Sequence, residues 1–380
     1  MSRYRKILVV FGTRPEAIKM APLILNFRER VRTGAQLEFR VCVTAQHREM
    51  LDQVLRLFEI TADFDLDIMR PGQDLTDVTA RVLSGMRDVL RDFQPDLVLV
   101  HGDTTTTFAT ALAAYYARIP VAHVEAGLRT DNIYSPWPEE INRRLADAIA
   151  SVHFAPTEIA KQNLIREGIA ESRIHVTGNT VIDALLRMVK RISDDATLRD
   201  HLNREFSYLD PAKRLILVTG HRRENFGEGL ENICRALKKL SERGDVEIVY
   251  PVHLNPNVRE PVSRILEADA SVHLTKPLDY LPFVYLMSRA YLVLTDSGGL
   301  QEEAPGLGKP VLLMRDTTER PEGVEAGTVR LVGTHIEQIL SAVSNLLDVS
   351  EVYNRMATAH NPYGDGHAAD RISAVLMGQP

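Results

Sequence analysis

The sequence has few cysteines and no excess of positive charge. Its 380 residues include only Cys42 and Cys234, each in an apolar stretch, so we expect two buried thiols rather than a disulfide. Sparse cysteine is typical of a reducing compartment. The net charge of -6 argues against nucleic acid as a partner. An anionic substrate would have to be captured by local basic groups instead.

Long apolar runs are also missing. No segment approaches the roughly 18 continuous apolar residues of a membrane span. The N-terminal apolar run ends at Phe11 and continues into Gly12, Thr13 and Arg14, without the cleavage site of a signal peptide. We therefore expect a cytoplasmic protein with no membrane partner.

The pattern that is present is an alternation of short apolar runs with amphipathic stretches. Hydrophobic residues make up 44% and charged residues 25%, which is ordinary for a globular protein, and this length favours two domains. Runs such as KILVVF, DLVLV, RLILVTG and YLVLT are candidate strands. Their nearly continuous apolar character predicts parallel sheets covered by helices on both faces.

The alternation restarts after a charged helical stretch between Thr177 and Lys213. We therefore predict an α/β protein with two doubly wound, Rossmann-like domains that face one another across a cleft. The predicted domains are residues 1–177 and 178–360, followed by a C-terminal helix in 361–380 that packs back on the first domain. Open sheets of this kind bind ligands at the carboxyl ends of their strands.

The first candidate site follows the first strand, in the run GTRPEAIKMAP. Gly12 permits a tight turn, and Pro15 suits the first turn of a helix. The N-terminus of that helix offers unpaired N–H groups to an anion, which Arg14 would reinforce. A plain strand–helix turn with a surface arginine is the alternative.

Three acidic residues occupy similar positions further along the first domain. Asp103 follows the strand DLVLV, where it or Thr104 could simply cap a helix. Glu125 ends an apolar strand and must find a partner or face a cleft. Glu139 and Glu140 begin a helix, which acidic residues favour in any case. We predict that Asp103, Glu125 and Glu139 converge.

In the second domain, His221 and Arg222 follow the strand RLILV, although a loop of solvated charges would look the same. The turn 297–299, Ser-Gly-Gly, suits the wrapping of phosphate by backbone N–H groups. Glu302 or Glu303 could then accept hydrogen bonds from ribose hydroxyls. The segment also supplies two arginines, Arg315 and Arg320. No metal-binding spacing and no GxGxxG motif occurs, so we expect no metal or dinucleotide cofactor.

Taken together, these motifs resemble the non-hydrolysing bacterial UDP-N-acetylglucosamine 2-epimerases. The matching runs include GTRPEAIKMAP, VLVHGDTTTT, VEAGLRT, SPWPEEINR, TGHRRENFG, LTDSGGLQEE and NPYGDG, and they extend from residue 12 to residue 366. The resemblance implies the GT-B-like fold shared with many nucleotide-sugar glycosyltransferases. It also implies a homodimer and the absence of any metal or redox cofactor.

The resemblance also assigns roles to residues. The family's catalytic positions match Asp103, Glu125, Glu139 and His221. Its UDP- and sugar-binding positions match Arg14, Lys19, His221, Phe283, Ser297, Gly298, Gly299, Glu303 and Arg320. A second, activating UDP-N-acetylglucosamine site of bacterial members matches Gln46, His47, Arg48, Glu49 and His253. The sequence departs from the family at Leu278, where a glutamine near the uracil is common.

The activity implied is the reversible inversion of carbon 2 of UDP-N-acetylglucosamine, giving UDP-N-acetylmannosamine for surface polysaccharide synthesis. No carbonyl adjoins carbon 2, so the family eliminates UDP to a bound 2-acetamidoglucal and then adds it back. Three alternatives stay open. They are a glycosyltransferase with a separate acceptor, a hydrolysing epimerase that releases UDP, and a non-catalytic UDP-sugar sensor.

Overall fold

The computed structural model describes residues 4–45 and 48–378, and within them the chain forms two compact units. The first unit ends at Ala184 and takes in the C-terminal segment from Tyr363 onward; the second is Leu185–Pro362. The first boundary therefore falls inside a helix. Among the described residues, no helix combines the length and the apolar character that crossing a bilayer requires.

The first unit is built around a parallel sheet. Its elements are β1 (Lys6–Phe11), α1 (Arg14–Arg32), β2 (Glu38–Val43), α2 (Arg48–Leu57), β3 (Phe64–Asp65), α3 (Leu75–Phe93), β4 (Leu97–His101), α4 (Thr105–Tyr116), β5 (Val121–Val124), α5 (Glu139–Ile149), β6 (Val152–Ala155), α6 (Glu158–Arg166), β7 (Ile174–Val176) and the first part of α7 (Thr180–Asp194). In the described part of the chain its seven strands lie in the order β3-β2-β1-β4-β5-β6-β7.

This strand order reverses direction between β1 and β4. Successive strands run outward from β1 on one side and from β4 on the other. Such a switch point leaves room beyond the carboxyl ends of the two strands, where doubly wound sheets bind ligands. Gly12 follows β1 and Gly102 follows β4, so two of the predicted motifs meet at this point.

Helix α1 begins at this switch point for reasons visible in the sequence. Thr13 is its N-cap, Pro15 lies in its first turn, and Glu16 completes a capping box with Thr13. The strands beside it are buried along most of their length, as parallel strands covered on both faces must be.

The second unit repeats this architecture. Its elements are the rest of α7, α8 (Ala196–Glu205), β8 (Arg214–Thr219), α9 (Glu228–Ser241), β9 (Val246–Pro251), α10 (Pro256–Leu266), β10 (Val272–Thr275), α11 (Tyr280–Arg289), β11 (Leu292–Thr295), α12 (Leu300–Glu303), β12 (Val311–Leu313), α13 (Pro321–Glu325), β13 (Val329–Leu331), α14 (Ile336–Asp348) and α15 (Ser350–Ala357). Its parallel strands follow the order β10-β9-β8-β11-β12-β13. The switch point here lies between β8 and β11.

The chain ends with α16 (Ala368–Leu376), which packs against α1 within the first unit. Asn26 of α1 donates a hydrogen bond to Asp370 at 2.6 Å, and the backbone N–H of Ala369 donates to Asp183 at 2.8 Å. Cys42 and Cys234 are free, buried thiols as expected. The predicted class of two doubly wound, Rossmann-like domains is confirmed.

Candidate functional site

Glu16 joins the two turns at the switch point of the first unit. Its buried carboxylate accepts hydrogen bonds from the backbone N–H groups of Gly12 and Thr13 at 3.0 and 2.8 Å. It also accepts from the hydroxyl of Thr104 at 2.7 Å, across on the β4 side. Burial raises the pKa of Glu16, and these hydrogen bonds oppose the rise. The carboxylate thus fixes the turn that carries Arg14 against the turn that carries Asp103.

Asp103 does not cap α4. The N-cap is Thr104, whose hydroxyl accepts from the backbone N–H of Thr107 at 3.2 Å. The Asp103 side chain is thereby left for another role, and it forms an ion pair with Arg143 of α5. Asn142 of the same helix donates to the Asp103 carbonyl at 3.0 Å. The start of α5 is therefore anchored on the β4 turn.

Glu125 lies directly after β5 in the left-handed backbone region, with φ of 63°. A side chain in this region is under strain, and such strain clusters at functional sites. Its Oε2 pairs with Lys19 and accepts from the Asn179 side-chain amide at 2.6 Å. Its Oε1 lies 3.6 Å from the point where a Cβ on Gly102 would stand. Glu125 therefore borders the turn that leads to Asp103.

Glu139 and Glu140, adjacent in sequence, differ in their surroundings. Glu140 is fully buried and pairs with Arg143 at 3.3 Å and with Arg144 at 3.0 Å. Glu139 has one buried oxygen, Oε2, that makes no hydrogen bond within the part of the chain described. It lies one helical turn before Arg143, the partner of Asp103. Its unsatisfied oxygen marks Glu139, rather than Glu140, as available to a ligand.

Two histidines at this edge were not among the predicted site residues. His101, the last residue of β4, is buried with its Nε2 3.9 Å from Glu125, and burial lowers its pKa to about 3. His123 bridges the Asp147 carboxylate at 2.6 Å and the Gly102 carbonyl at 2.7 Å. His123 therefore holds the β4 turn through the Gly102 carbonyl, and His101 lies beside the Glu125 carboxylate.

In the second unit, the loops after β8 and β11 are joined by Asp296. This buried carboxylate accepts from the backbone N–H groups of His221 and Arg222, each at 2.8 Å. The side-chain amide of Asn225 also donates to it, at 3.2 Å. The predicted residues His221 and Arg222 are therefore placed beside the Ser-Gly-Gly turn that begins at Ser297.

The centre of the turn 297–299 is closely approached by the ends of two charged side chains, which an added methyl group would displace. A Cβ on Gly298 would stand 2.8 Å from Nη1 of Arg320 and 2.8 Å from the Glu319 carboxylate. Arg320 is held by Glu319 at 3.0 Å and by an ion pair with buried Glu302. Burial acts to raise the pKa of Glu319, but Arg320 and Arg315 hold it at about 2.

Glu302 and Glu303, both candidates for binding the ribose, have different partners. The Glu302 carboxylate is buried against Arg320. Glu303 accepts from the Tyr280 hydroxyl at 3.2 Å, and its other oxygen stands 3.8 Å from the Cβ position of Gly299. Phe283 is half-buried one turn after Tyr280 on α11. Glu303 therefore lies next to the Ser-Gly-Gly turn.

The residues assigned to the activating site are only partly described. Gln46 and His47 lie outside the described residues. Arg48 begins α2 and is engaged by Asp65 at 2.6 Å, and Glu49 beside it is exposed. His253 follows β9 in the second unit, where its ring stacks on that of His221 with centroids 5.7 Å apart.

A family profile described as UDP-N-acetylglucosamine 2-epimerase matches residues 29–377. The chain belongs to the UDP-N-acetylglucosamine 2-epimerase family. The family predicted from the motifs is confirmed, and so is the class of enzyme, an isomerase. A member from Yersinia pestis is 61% identical over 372 residues, which cover 98% of each chain.

Solved structures of the family agree. The crystal structure of UDP-GlcNAc 2-epimerase from Neisseria meningitidis bound to UDP-GlcNAc is 53% identical, with a TM-score of 0.90 and coverage of 98% of this chain and 100% of that chain. The enzyme from Methanocaldococcus jannaschii, in complex with UDP-GlcNAc and UDP, is 35% identical with a TM-score of 0.79, covering 98% and 99%. The predicted GT-B-like fold class is confirmed by this likeness.

Proposed function

We propose that the protein interconverts UDP-N-acetylglucosamine and UDP-N-acetylmannosamine. The observation that carries the proposal is that Asp103 and Glu125 border one turn of the first unit in a chain of this family, while Glu139 lies one helical turn before Arg143, the partner of Asp103. An epimerase must remove a proton from one face of carbon 2 and return one to the other. Several carboxylates in one region suit this pair of proton transfers, whereas a glycosyltransferase or a binding protein would need no such set.

The reaction begins with elimination. A base removes the proton from carbon 2, and the electron pair of that C–H bond forms the C1–C2 double bond. The C1–O bond breaks, and its electron pair leaves on the phosphate oxygen of UDP. The bound 2-acetamidoglucal then accepts attack by the same oxygen at carbon 1, while carbon 2 receives a proton on the opposite face. No oxidant or reductant is needed.

The nucleotide is assigned to the C-terminal domain, residues 178–360. The Ser-Gly-Gly turn at 297–299 and the guanidinium of Arg320 would hold the pyrophosphate, and Glu303 the ribose. His221 would stabilise the negative charge that develops on the departing phosphate, since donors aimed at developing charge lower the barrier. Phe283 would lie against the uracil.

The proton transfers are assigned to the N-terminal domain, residues 1–177. Asp103, which pairs with Arg143, would be one of the groups that exchange a proton with carbon 2. Glu125 is held through Oε2 by Lys19 and Asn179, and its Oε1 lies beside the turn at Gly102, where it would act on carbon 2 of the sugar. Glu139 would share or orient these transfers through its unsatisfied oxygen. Arg14 and Lys19 add positive charge near the substrate.

The test is incubation with UDP-N-acetylglucosamine alone, followed by ¹H NMR of the nucleotide sugars. We expect UDP-linked N-acetylmannosamine to accumulate to an equilibrium ratio. Release of free UDP with N-acetylmannosamine would indicate a hydrolysing enzyme instead. No turnover without an added acceptor would favour the glycosyltransferase, and binding without any turnover would favour the sensor.

Further assignments belong to the same proposal. The enzyme would work in the cytoplasm as a homodimer. Its product would supply mannosamine units for the synthesis of surface polysaccharide. Arg48, Glu49 and His253, together with Gln46 and His47, would form the activating site for a second UDP-N-acetylglucosamine. Activation would appear as sigmoidal dependence of rate on substrate concentration.

A further inference from the structure

Asp296 has an oxygen that the fold leaves unused. Its Oδ2 accepts from the backbone N–H groups of His221 and Arg222 and from the Asn225 amide. Its Oδ1 is buried and makes no hydrogen bond within the part of the chain described. A buried, unsatisfied carboxylate oxygen is costly, so its retention calls for an explanation.

A basic nitrogen of the His221 ring lies close to this oxygen. Nδ1 of His221 lies 3.5 Å from Oδ1 of Asp296. The imidazole is 42% exposed, so it has freedom to turn, whereas the carboxylate is 1% exposed and held in place by the donors to Oδ2. A small rotation of the ring would bring Nδ1 into hydrogen-bond distance.

Asp296 and the other charged or titratable groups around His221 shift the pKa of its ring in opposite directions. Burial lowers the pKa of His221, and the neighbouring His253 ring and Arg222 guanidinium lower it further, while Asp296 alone among these groups raises it. Asp296 is thus the one neighbour among them that favours the imidazolium.

We propose that Asp296 is a positioning residue for His221: its Oδ1 accepts a hydrogen bond from Nδ1–H, which fixes the ring, so that the imidazolium formed by protonation of Nε2 directs its Nε2–H at the departing phosphate. The contact itself depends only on the second unit. Its catalytic role rests on the proposed function. The arrangement follows the logic of catalytic triads, in which a buried carboxylate selects the histidine tautomer and stabilises the imidazolium.

The tautomer can be measured without any variant. In ¹⁵N-histidine-labelled protein, the two ring nitrogens of neutral His221 have distinct chemical shifts, and the His221→Gln variant assigns them. We expect Nδ1 to be the protonated nitrogen at high pH. A neutral His221 with Nδ1 unprotonated would overturn the proposal, whether or not any variant folds.

Asp296→Asn tests the consequence. Three N–H groups point at the Oδ2 position, so the amide oxygen should settle there and the NH₂ group should face Nδ1 of His221. An acceptor is then replaced by a donor, and the negative charge is lost. We expect the Nε2–H tautomer, and we expect the basic limb of the kcat profile to move down by about one pH unit or more. At neutral pH kcat should fall at least about tenfold.

Asp245→Asn is the matched control, because Asp245 precedes β9 at the opposite end of the same sheet and pairs with Arg214 and Arg243. It should leave the His221 tautomer and the basic limb unchanged. An Asp296→Asn enzyme with the wild-type tautomer and pH profile would refute the proposal. If the wild type is inactive with UDP-N-acetylglucosamine, the proposed function fails, yet the tautomer measurement still decides the Asp296–His221 contact.

Discussion

Asp103→Asn separates catalysis from folding. The change removes a proton acceptor and keeps the size of the side chain. General acid–base groups contribute roughly 10²- to 10⁴-fold in rate, so the barrier should rise by about 3–5 kcal/mol. The fold should lose much less, because Arg143 keeps Glu140 as a partner at 3.3 Å and Asp103 is partly exposed. We expect a stability loss of about 1–2 kcal/mol.

The assay is NMR-monitored epimerisation beside urea unfolding and calorimetric binding of UDP. UDP affinity should stay within about threefold of wild type, because the nucleotide is assigned to residues of the other domain. A tenfold change would correspond to about 1.4 kcal/mol of lost binding free energy. Asp96→Asn is the control: Asp96 lies at the amino end of β4 and accepts from backbone N–H groups at 2.9 Å, which an amide oxygen can still do. Near-normal turnover of Asp103→Asn would refute the assignment.

Three other predictions use the same assays. Gly298→Ala places a methyl group 2.8 Å from Arg320, so UDP affinity should fall at least about tenfold by calorimetry; unchanged affinity would remove the turn from the UDP site. Lys19→Met leaves the Glu125 carboxylate without its ammonium partner and should lower the free energy of unfolding in urea by about 3 kcal/mol. The double variant Lys19→Met/Glu125→Gln should lose less, because no unpaired charge is then buried. Equal losses in the two variants would contradict a buried ion pair. Burial acts to raise the pKa of Asp147, but His123 and Arg129 beside its carboxylate hold that pKa at about 2, below the ordinary value of 3.8. The ionised carboxylate therefore stabilises the fold above about pH 4, and this contribution disappears as the pH falls from about 4 to 2. Asp147→Asn should lack that acid-dependent loss in thermal unfolding.

Much of the fold was predictable because its strands carry a strong signal. Runs such as KILVVF and RLILV are buried on both faces, and they became β1 and β8. Strands β3, β7 and β13 were not predicted, since they contain only two or three residues and show no clear periodicity. Their place is fixed by pairing with the neighbouring strand rather than by their own sequence.

The site was predictable in its outline but not in its supporting contacts. Residues at strand ends were identified because parallel strands bring their carboxyl ends to one edge of a sheet. Arg143 was missed although it pairs with Asp103, and Asn179 was missed although it holds Glu125. These partners are 40 and 54 residues apart in the chain, so only the packing of α5 and of the turn before α7 brings them together.

Turnover in D₂O, followed by mass and NMR analysis of the recovered nucleotide sugars, shows whether carbon 2 exchanges its proton. We expect deuterium at carbon 2 of both UDP-N-acetylglucosamine and UDP-N-acetylmannosamine, because the proton is removed and replaced during each inversion. Interconversion of the two sugars with no deuterium at carbon 2 of either would contradict it.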